Sequence, residues 1–343
     1  MNALENVHVR PLDAAAMAAA GARQAQLVKP PGSLGRLERL AIWLAGVTGD
    51  ERPTVRAHVV VAAADHGVAA EHVSAYPQEV TAQMLATFLA GGGAVSVLAR
   101  EVGARLECVD AGVAADTTQL DVTRTGLGPS GNLATEPALS HADAVRAIDA
   151  GRAIASNAAG AGITILVGGE MGIGNTTPAT CLACWLTGRT PEALAGPGTG
   201  LDPEGVRHKA AVIAHALHLH RGADDAVTAL ERFGGGEIAV LTGLALGAGE
   251  HGLGYVCDGL IATAAAALAV RLAPPLRDRL LAGHRSPEPA HAALLDHLRL
   301  DPVLDLEMRL GEGSGAVAAL AILRLAAATH NGMQTFAEAG VSS

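Results

Sequence analysis

Short apolar runs rich in β-branched residues alternate with alanine-rich stretches of helical spacing from about residue 57 onwards. Near-continuous apolar strands that are separated by helices are typical of a parallel sheet covered on both faces. We therefore predict an α/β fold with a parallel sheet flanked by helices. The predicted strands are His58–Val61, Leu106–Val109, Ile163–Val167, Ile238–Leu241 and Tyr255–Cys257.

Four of these runs are followed by polar and glycine residues. In open α/β sheets, ligands bind beyond the carboxyl ends of the strands. A single aspartate at such an end is usually a helix cap, whereas several on one sheet indicate the rim of a site. The four ends are Asp65-His66-Gly67, Asp110-Ala111-Gly112, Gly168-Gly169-Glu170 and Asp258-Gly259.

The segment Gly168–Thr180 has the features of a phosphate-binding turn. A predicted strand leads into a glycine loop, and a helix follows with Asn175 or Thr176 as its cap and Pro178 in its first turn. Glycines allow the backbone to approach an anion, and the first helical N–H groups point at it. The carboxylate of Glu170 in the same loop is unfavourable beside an anion unless the ligand also carries a positive centre. The segment predicts such a ligand; the alternative is an ordinary strand-to-helix turn.

Composition excludes several classes of protein. The formal net charge is −10, no block of Lys or Arg occurs, and the aromatic residues are only three Phe, two Tyr and two Trp, so we expect no nucleic-acid partner. We find no wholly apolar run of about 18 residues and predict no membrane span. The alanine-rich start of the chain lacks the basic region of a signal peptide, which makes the cytoplasm the default location.

Other motifs are weaker. Gly247–Gly252 matches G-x-G-x-x-G, but it lacks the acidic residue expected about 20 positions further on. Cys181 and Cys184 form a C-x-x-C, which suggests redox chemistry or half of a zinc site; since no second pair completes it and its flanks are apolar, we interpret both as core residues. The fourteen histidines do not cluster at ligand spacing, so we expect no metal.

Two side chains are candidate acids or bases. Glu312 lies between glycines in Gly311–Gly315, which would let a substrate approach it closely; the alternative is an exposed loop acid favoured by the dipole of the following helix. His66 follows a strand and precedes a glycine, and the sequence favours the alternative of a hydrogen-bonded histidine at a strand end.

Both ends of the chain have helical patterns. We predict a discontinuous small helical domain, residues 1–54 and 280–343, beside an α/β nucleotide-binding domain, residues 55–279.

Seven segments in order resemble one enzyme family, the nicotinate-nucleotide–dimethylbenzimidazole phosphoribosyltransferases, which make α-ribazole phosphate for the lower ligand of cobalamin. The resemblance covers nearly the whole chain, and GEMGIGNTT and RLGEGSGA are its most specific segments. The segments are KPPGSLGRLE (29–38), DHG (65–67), YPQEVTAQM (76–84), GEMGIGNTT (169–177), CDGLIATAAAAL (257–268), HRSPEPAH (284–291) and RLGEGSGA (309–316).

The resemblance implies a Rossmann-like sheet domain, a small helical domain built from both termini, a homodimer and no cofactor. It implies transfer of the 5-phosphoribosyl group from nicotinate mononucleotide to 5,6-dimethylbenzimidazole, with inversion at C1′. Glu312 matches the general base, with Glu170 in support. Residues matching the nucleotide and phosphate site are Gly172, Gly174, Asn175, Thr176, Lys209, Asp258 and Ser286. Residues matching the acceptor-base pocket are Ser74, Tyr76, Gln83 and Leu310.

Three alternatives stay open at this point: a non-catalytic nucleotide-binding regulator on the same fold, a related enzyme preferring another acceptor base, and a C-x-x-C oxidoreductase. The presence of Glu312 argues against the first, and the apolar flanks of Cys181 and Cys184 argue against the last.

Overall fold

The computed structural model of the protein describes residues 7–342; residues 1–6 and Ser343 lie outside that range. Within it, a sheet of six strands forms the centre of the molecule. The strands are β1 (Ala57–Ala63), β2 (Arg105–Asp110), β3 (Thr123–Arg124), β4 (Ile165–Met171), β5 (Gly254–Cys257) and β6 (Leu280–Ala282). They are parallel throughout and lie in the spatial order β3-β2-β1-β4-β5-β6, which confirms the predicted parallel sheet.

Helices cover both faces of this sheet. The α-helices of the described range are α1 (Ala14–Gln26), α2 (Arg36–Thr48), α3 (Glu79–Leu89), α4 (Ala94–Glu101), α5 (His141–Gly160), α6 (Thr176–Thr187), α7 (Pro191–Leu194), α8 (Pro203–Leu219), α9 (Ala226–Phe233), α10 (Gly236–His251), α11 (Leu260–Leu272), α12 (Pro289–Leu298), α13 (Ser314–Gly332) and α14 (Phe336–Ala339). Short 3₁₀ segments occupy Gly67–Glu71 and Pro274–Arg279.

The central strand β1 shows why the core has two layers. All seven of its residues are buried. Because side chains alternate along a strand, Val59 and Val61 pack against residues of α2, α4 and α13, whereas Val60 and Ala62 pack toward α5, α6, α10 and α11. A strand buried on both faces is apolar at every position, which is the pattern that predicted this sheet.

One predicted strand is wrong. Ile238–Leu241 lies inside α10, whose residues from Gly236 to Gly249 are all buried. A helix that is enclosed on every side carries apolar residues without a polar face, so a four-residue window does not distinguish it from a buried strand. The G-x-G-x-x-G match is the carboxyl end of the same helix, where Gly252 takes the left-handed conformation of a C-cap.

The two shortest strands, β3 and β6, carry too little pattern for sequence-based prediction. β6 pairs with β5, so Leu280–Ala282 belongs to the main sheet although it lies within the range assigned to the small domain.

The two ends of the chain pack together. α2 contacts both α1 and α13, and the Arg23 side chain donates to the backbone oxygens of His330 (3.1 Å) and Met333 (2.9 Å). α13 also covers the sheet, because Val317 shares a core cluster with Val59. The division into two domains therefore stays a prediction.

One stretch, Glu79–Glu101, has the length and the mean hydropathy, 1.5, of a membrane span. It comprises α3 and α4, of 11 and 8 residues, which are separated by a turn around Gly91. Each helix is shorter than the roughly 20 residues that a bilayer requires.

Candidate active site

The order in which strands are added to the sheet reverses between β1 and β4. β1 and β4 are neighbours, and the later strands extend the sheet in opposite directions from them, so a crevice opens beyond their carboxyl ends. A cavity of about 410 Å³ lies there. Its walls come from residues 170–173, 175–176, 198–199, 259–261 and 309–312, together with Tyr76, Val80, Met84, His284, Ser286 and Glu288.

Eight of the thirteen predicted site residues line this cavity: Tyr76, Glu170, Gly172, Asn175, Thr176, Ser286, Leu310 and Glu312. The other five lie outside its lining: Ser74, Gln83, Gly174, Lys209 and Asp258. Their contacts decide what each of them can contribute.

Only part of the glycine-rich run forms a loop. β4 continues to Met171, so Glu170 lies on the strand rather than in a loop as the sequence predicted. A Cβ atom at Gly168 would overlap the Tyr255 hydroxyl, and one at Gly169 would overlap the backbone carbonyl of Glu312. These two glycines therefore allow close packing. The turn that remains for a ligand is Gly172–Thr176, in which Gly174 has φ +90°.

A buried lysine lies where α6 begins. Lys209 is fully buried, and its Nζ donates to Thr176 Oγ1 (2.7 Å) and to the Gly196 carbonyl (3.3 Å). Burial lowers the pKa of Lys209 to about 8, against the opposing effect of Glu288. An ammonium group beside a helix N-terminus is an arrangement that binds phosphate. The Asn175 side chain does not cap α6, contrary to one of the two predictions, and instead donates to Glu170.

Glu170 is buried and lines the cavity. Burial raises its pKa to about 8; the Asn175 side chain opposes this shift, while Asp258 and Glu237 increase it. At neutral pH the carboxyl group therefore holds its proton most of the time. A cationic ligand centre beside it would favour the ionised form.

Glu312 has a strained backbone. Its φ is 66°, and Gly311 and Gly313 on either side have φ 87° and 92°. A non-glycine residue in the left-handed region costs about 1–2 kcal/mol, so its surroundings must hold it there. Its Oε2 accepts a hydrogen bond from the backbone N–H of Val95 (3.4 Å) at the start of α4. Burial raises the pKa of Glu312 while that N–H opposes the shift, and a raised pKa makes the carboxylate a stronger base.

The comparisons with known proteins concern the whole chain. A family model described as "Phosphoribosyltransferase" matches residues 9–341. Nicotinate-nucleotide–dimethylbenzimidazole phosphoribosyltransferases from Xanthomonas axonopodis pv. citri and Ectopseudomonas mendocina are 53% and 52% identical over 333 and 338 residues, covering 96% and 97% of this chain and 96% of each relative.

The chain belongs to the nicotinate-nucleotide–dimethylbenzimidazole phosphoribosyltransferase family. A crystal structure of CobT from Thermus thermophilus is 44% identical and superimposes with a TM-score of 0.91, covering 96% of this chain and 99% of that one. The family resemblance and the Rossmann-like α/β fold are thus confirmed, and the alternatives of a binding-only regulator and an oxidoreductase are not favoured.

Of the four predicted acceptor-pocket residues, Tyr76 and Leu310 line the cavity, whereas Ser74 and Gln83 do not. Tyr76 and Leu310 are 53% and 58% exposed and form an apolar edge. Ser74 Oγ lies 3.4 Å from the hydroxyl of Thr199, which lines the cavity, so Ser74 is placed behind the cavity wall. Gln83 is exposed on α3, outside the lining, between Val80 and Met84, which do line it.

Sequence reasoning overlooked several cavity residues. His284, Glu288 and Arg309 lie within the segments that carry the family resemblance, so the signal was present but was not assigned. Glu288 Oε1 accepts a hydrogen bond from the backbone N–H of Gly198 (2.8 Å), which fixes the loop beside Lys209. Arg309 is exposed at the mouth and forms no ion pair with any residue in 7–342.

The segment around Ser286 is fixed by a buried histidine. His291 Nδ1 accepts a hydrogen bond from the Ser286 backbone N–H (3.1 Å), and its Nε2 lies 3.1 Å from Thr263 Oγ1. Burial lowers the pKa of His291 to about 3, so the ring is neutral and can accept this bond.

His66 lies outside the cavity lining and forms a buried pair with Glu237, with 2.8 Å between Nε2 and Oε1. Burial alone would lower its pKa, but Glu237 raises it overall, which favours the imidazolium. This geometry fits the structural alternative of a hydrogen-bonded histidine at a strand end.

The cysteines are core residues, as predicted. Cys181 and Cys184 are free thiols buried in α6, and burial raises the pKa of both, that of Cys184 to about 12. A thiol of this kind is not a nucleophile at neutral pH. Within residues 7–342, no three His, Cys, Asp or Glu side chains are grouped to hold a metal ion.

Proposed function

We propose that the protein transfers the 5-phosphoribosyl group of nicotinate mononucleotide to 5,6-dimethylbenzimidazole, giving α-ribazole 5′-phosphate and nicotinate. The observation that carries the proposal is one cavity of about 410 Å³ lined by two buried carboxyl groups, Glu170 and Glu312, beside the cationic corner of Lys209 and Thr176. Nicotinate mononucleotide has the matching chemistry, because it joins a phosphate to a pyridinium ring.

The donor nucleotide binds with its phosphate at the start of α6. Lys209 and Thr176 provide the charge and the hydroxyl, and the turn from Gly172 to Asn175 brings the backbone close to the ligand. The pyridinium ring then lies near Glu170, whose ionised form it stabilises. The acceptor base enters at the apolar edge formed by Tyr76 and Leu310.

The reaction needs one proton acceptor. Glu312 takes the N–H proton of dimethylbenzimidazole while the other ring nitrogen forms a bond to C1′ of the ribose. The bond between C1′ and the nicotinate nitrogen breaks, and its electron pair neutralises the pyridinium. The leaving group is thus already activated, and the reaction requires no cofactor. Attack from the opposite face converts the β-nucleotide into an α-nucleotide. General-base assistance typically contributes about 10²–10⁴-fold, and alignment of the two rings contributes further.

We also propose a cytoplasmic homodimer. Exposed apolar side chains on the α3–α4 segment, Leu89 and Val97, support a symmetric contact with a second copy.

Incubation of the purified protein with nicotinate mononucleotide and dimethylbenzimidazole tests the function directly. We expect release of nicotinate that depends on both substrates, together with formation of the α-nucleotide. The same assay with benzimidazole, adenine and phenols ranks the acceptors and tests the alternative of another preferred base. Absence of nicotinate release with every acceptor would refute the proposal.

A further inference from the structure

The helix that follows Glu312 begins without a cap of its own. The N-cap residue of α13 is Gly313, which has no side chain to satisfy the first backbone N–H groups of the helix. Asp258, directly after β5, supplies the missing acceptors. Its Oδ1 accepts from the N–H of Ala316 (2.8 Å) and its Oδ2 from the N–H of Gly313 (3.2 Å).

A second side chain restrains the same helix start. The His284 ring packs so closely on Gly315 that a Cβ there would overlap it, and His284 Nε2 lies 3.6 Å from Asp258 Oδ1. Asp258 and His284 are 1% and 2% exposed. The start of α13 is therefore held on two sides by buried groups that come from the ends of other strands.

We propose that Asp258 is a positioning residue for the catalytic base: by capping α13 through Gly313 and Ala316, it fixes the left-handed backbone of Glu312 and so the place of its carboxylate. This inference rests on the proposed function. It differs from the ribose or phosphate contact that the family resemblance implies, because both carboxylate oxygens of Asp258 bond to the backbone and the residue does not line the cavity.

The position of Glu312 is sensitive to this cap. Glu312 is the only residue other than glycine in the turn 311–313, and all three residues have positive φ. Without Asp258 the turn can relax toward ordinary backbone angles, which would move the carboxylate. A displacement of about 1 Å at a reacting group lowers turnover by about 10²-fold.

A double-mutant cycle tests the proposal, with kcat measured by nicotinate release and the Kd of nicotinate mononucleotide measured separately. The variants are Asp258→Asn, Glu312→Gln and the double variant. In Asp258→Asn the amide NH₂ faces one of the two N–H groups, so one hydrogen bond is lost. For Asp258→Asn we expect kcat to fall about tenfold and Kd to change less than about threefold. For Asp258→Ala, which removes both hydrogen bonds, we expect kcat to fall about 100-fold.

The decisive readout is non-additivity. In the Glu312→Gln background, Asp258→Asn should change kcat by less than about twofold, because there is no longer a base to position. The matched control is Asp225→Asn. Asp225 caps α9 through the N–H groups of Val227 and Thr228 and lies outside the cavity lining, so its variant should keep wild-type kcat.

Several outcomes would overturn the inference. An equal loss of kcat in both backgrounds would show a general structural effect, and a loss of nucleotide affinity matching the loss of kcat would show a substrate contact. An Asp258→Asn protein that fails to fold or to bind nucleotide would assign Asp258 to the fold instead. A wild-type protein that releases no nicotinate refutes the proposed function itself and removes the basis of the inference, whereas an active wild type with an additive cycle refutes the inference alone.

Discussion

Replacement of Glu170 by glutamine should stabilise the protein, and by an amount that grows with pH. Burial raises the pKa of Glu170 to about 8 from an ordinary value of 4.5. Below pH 4.5 the carboxyl is protonated in both the folded and the unfolded chain and has no effect on stability. Between pH 4.5 and 8 the unfolded chain has lost a proton that the folded protein retains, so the free energy of unfolding falls as pH rises.

The magnitude follows from the two pKa values. One pKa unit corresponds to about 1.4 kcal/mol, so this group lowers the free energy of unfolding by less than about 1 kcal/mol at pH 5, by about 3 kcal/mol at pH 7 and by about 5 kcal/mol well above pH 8. Glutamine cannot ionise, and its carbonyl can still accept the hydrogen bond from Asn175. The difference between variant and wild type reports the titration of Glu170 together with its electrostatic coupling to Asp258, Glu237 and His66.

Urea unfolding of both proteins between pH 5 and pH 8, without nucleotide, measures this difference. We expect the midpoints to be close at pH 5 and to separate steadily as pH rises. Glu204→Gln, at an exposed position in the first turn of α8, is the control and should show no such separation. A difference between Glu170→Gln and wild type that stays constant across this range would contradict the assignment of Glu170 as a buried, protonated carboxyl.

Three further outcomes are expected. Glu312→Gln should keep the fold and the affinity for nicotinate mononucleotide but lower kcat by about 100-fold or more, and near-normal turnover would remove Glu312 from the mechanism. Lys209→Met should weaken the binding of nicotinate mononucleotide about 10- to 100-fold, as expected for loss of a hydrogen bond to a charged group. The binding of the phosphate-free nucleoside should change less, and an equal loss of affinity would show that Lys209 does not contact the phosphate. In sedimentation at micromolar concentration the protein should have about twice the chain mass of 34.4 kDa, and a clean monomer would contradict the proposed dimer.

The local sequence predicted much of the fold. The apolar runs around Val59, Val109 and Val167 predicted parallel strands, because a strand buried on both faces must be apolar at successive positions. The polar residues after these runs predicted a site at the carboxyl edge of the sheet, and the cavity lies there. Glu170 and Glu312 both line it, and both came from glycine-flanked motifs in the sequence.

Other features were decided only by tertiary structure. The run Ile238–Leu241 is a helix because neighbouring elements enclose it on every side, and a short apolar window does not contain that information. Lys209 meets Thr176 from 33 positions away, and Asp258 meets Gly313 from 55 positions away. The sequence by itself determined the residue types, the local strands and helices and the glycine turns, because these depend on neighbours along the chain. The contacts between side chains that form a site depend on the order of the strands and the packing of the helices. Only the folded structure therefore decided which carboxylates are buried, which backbone N–H groups donate to them, and how their pKa values are shifted.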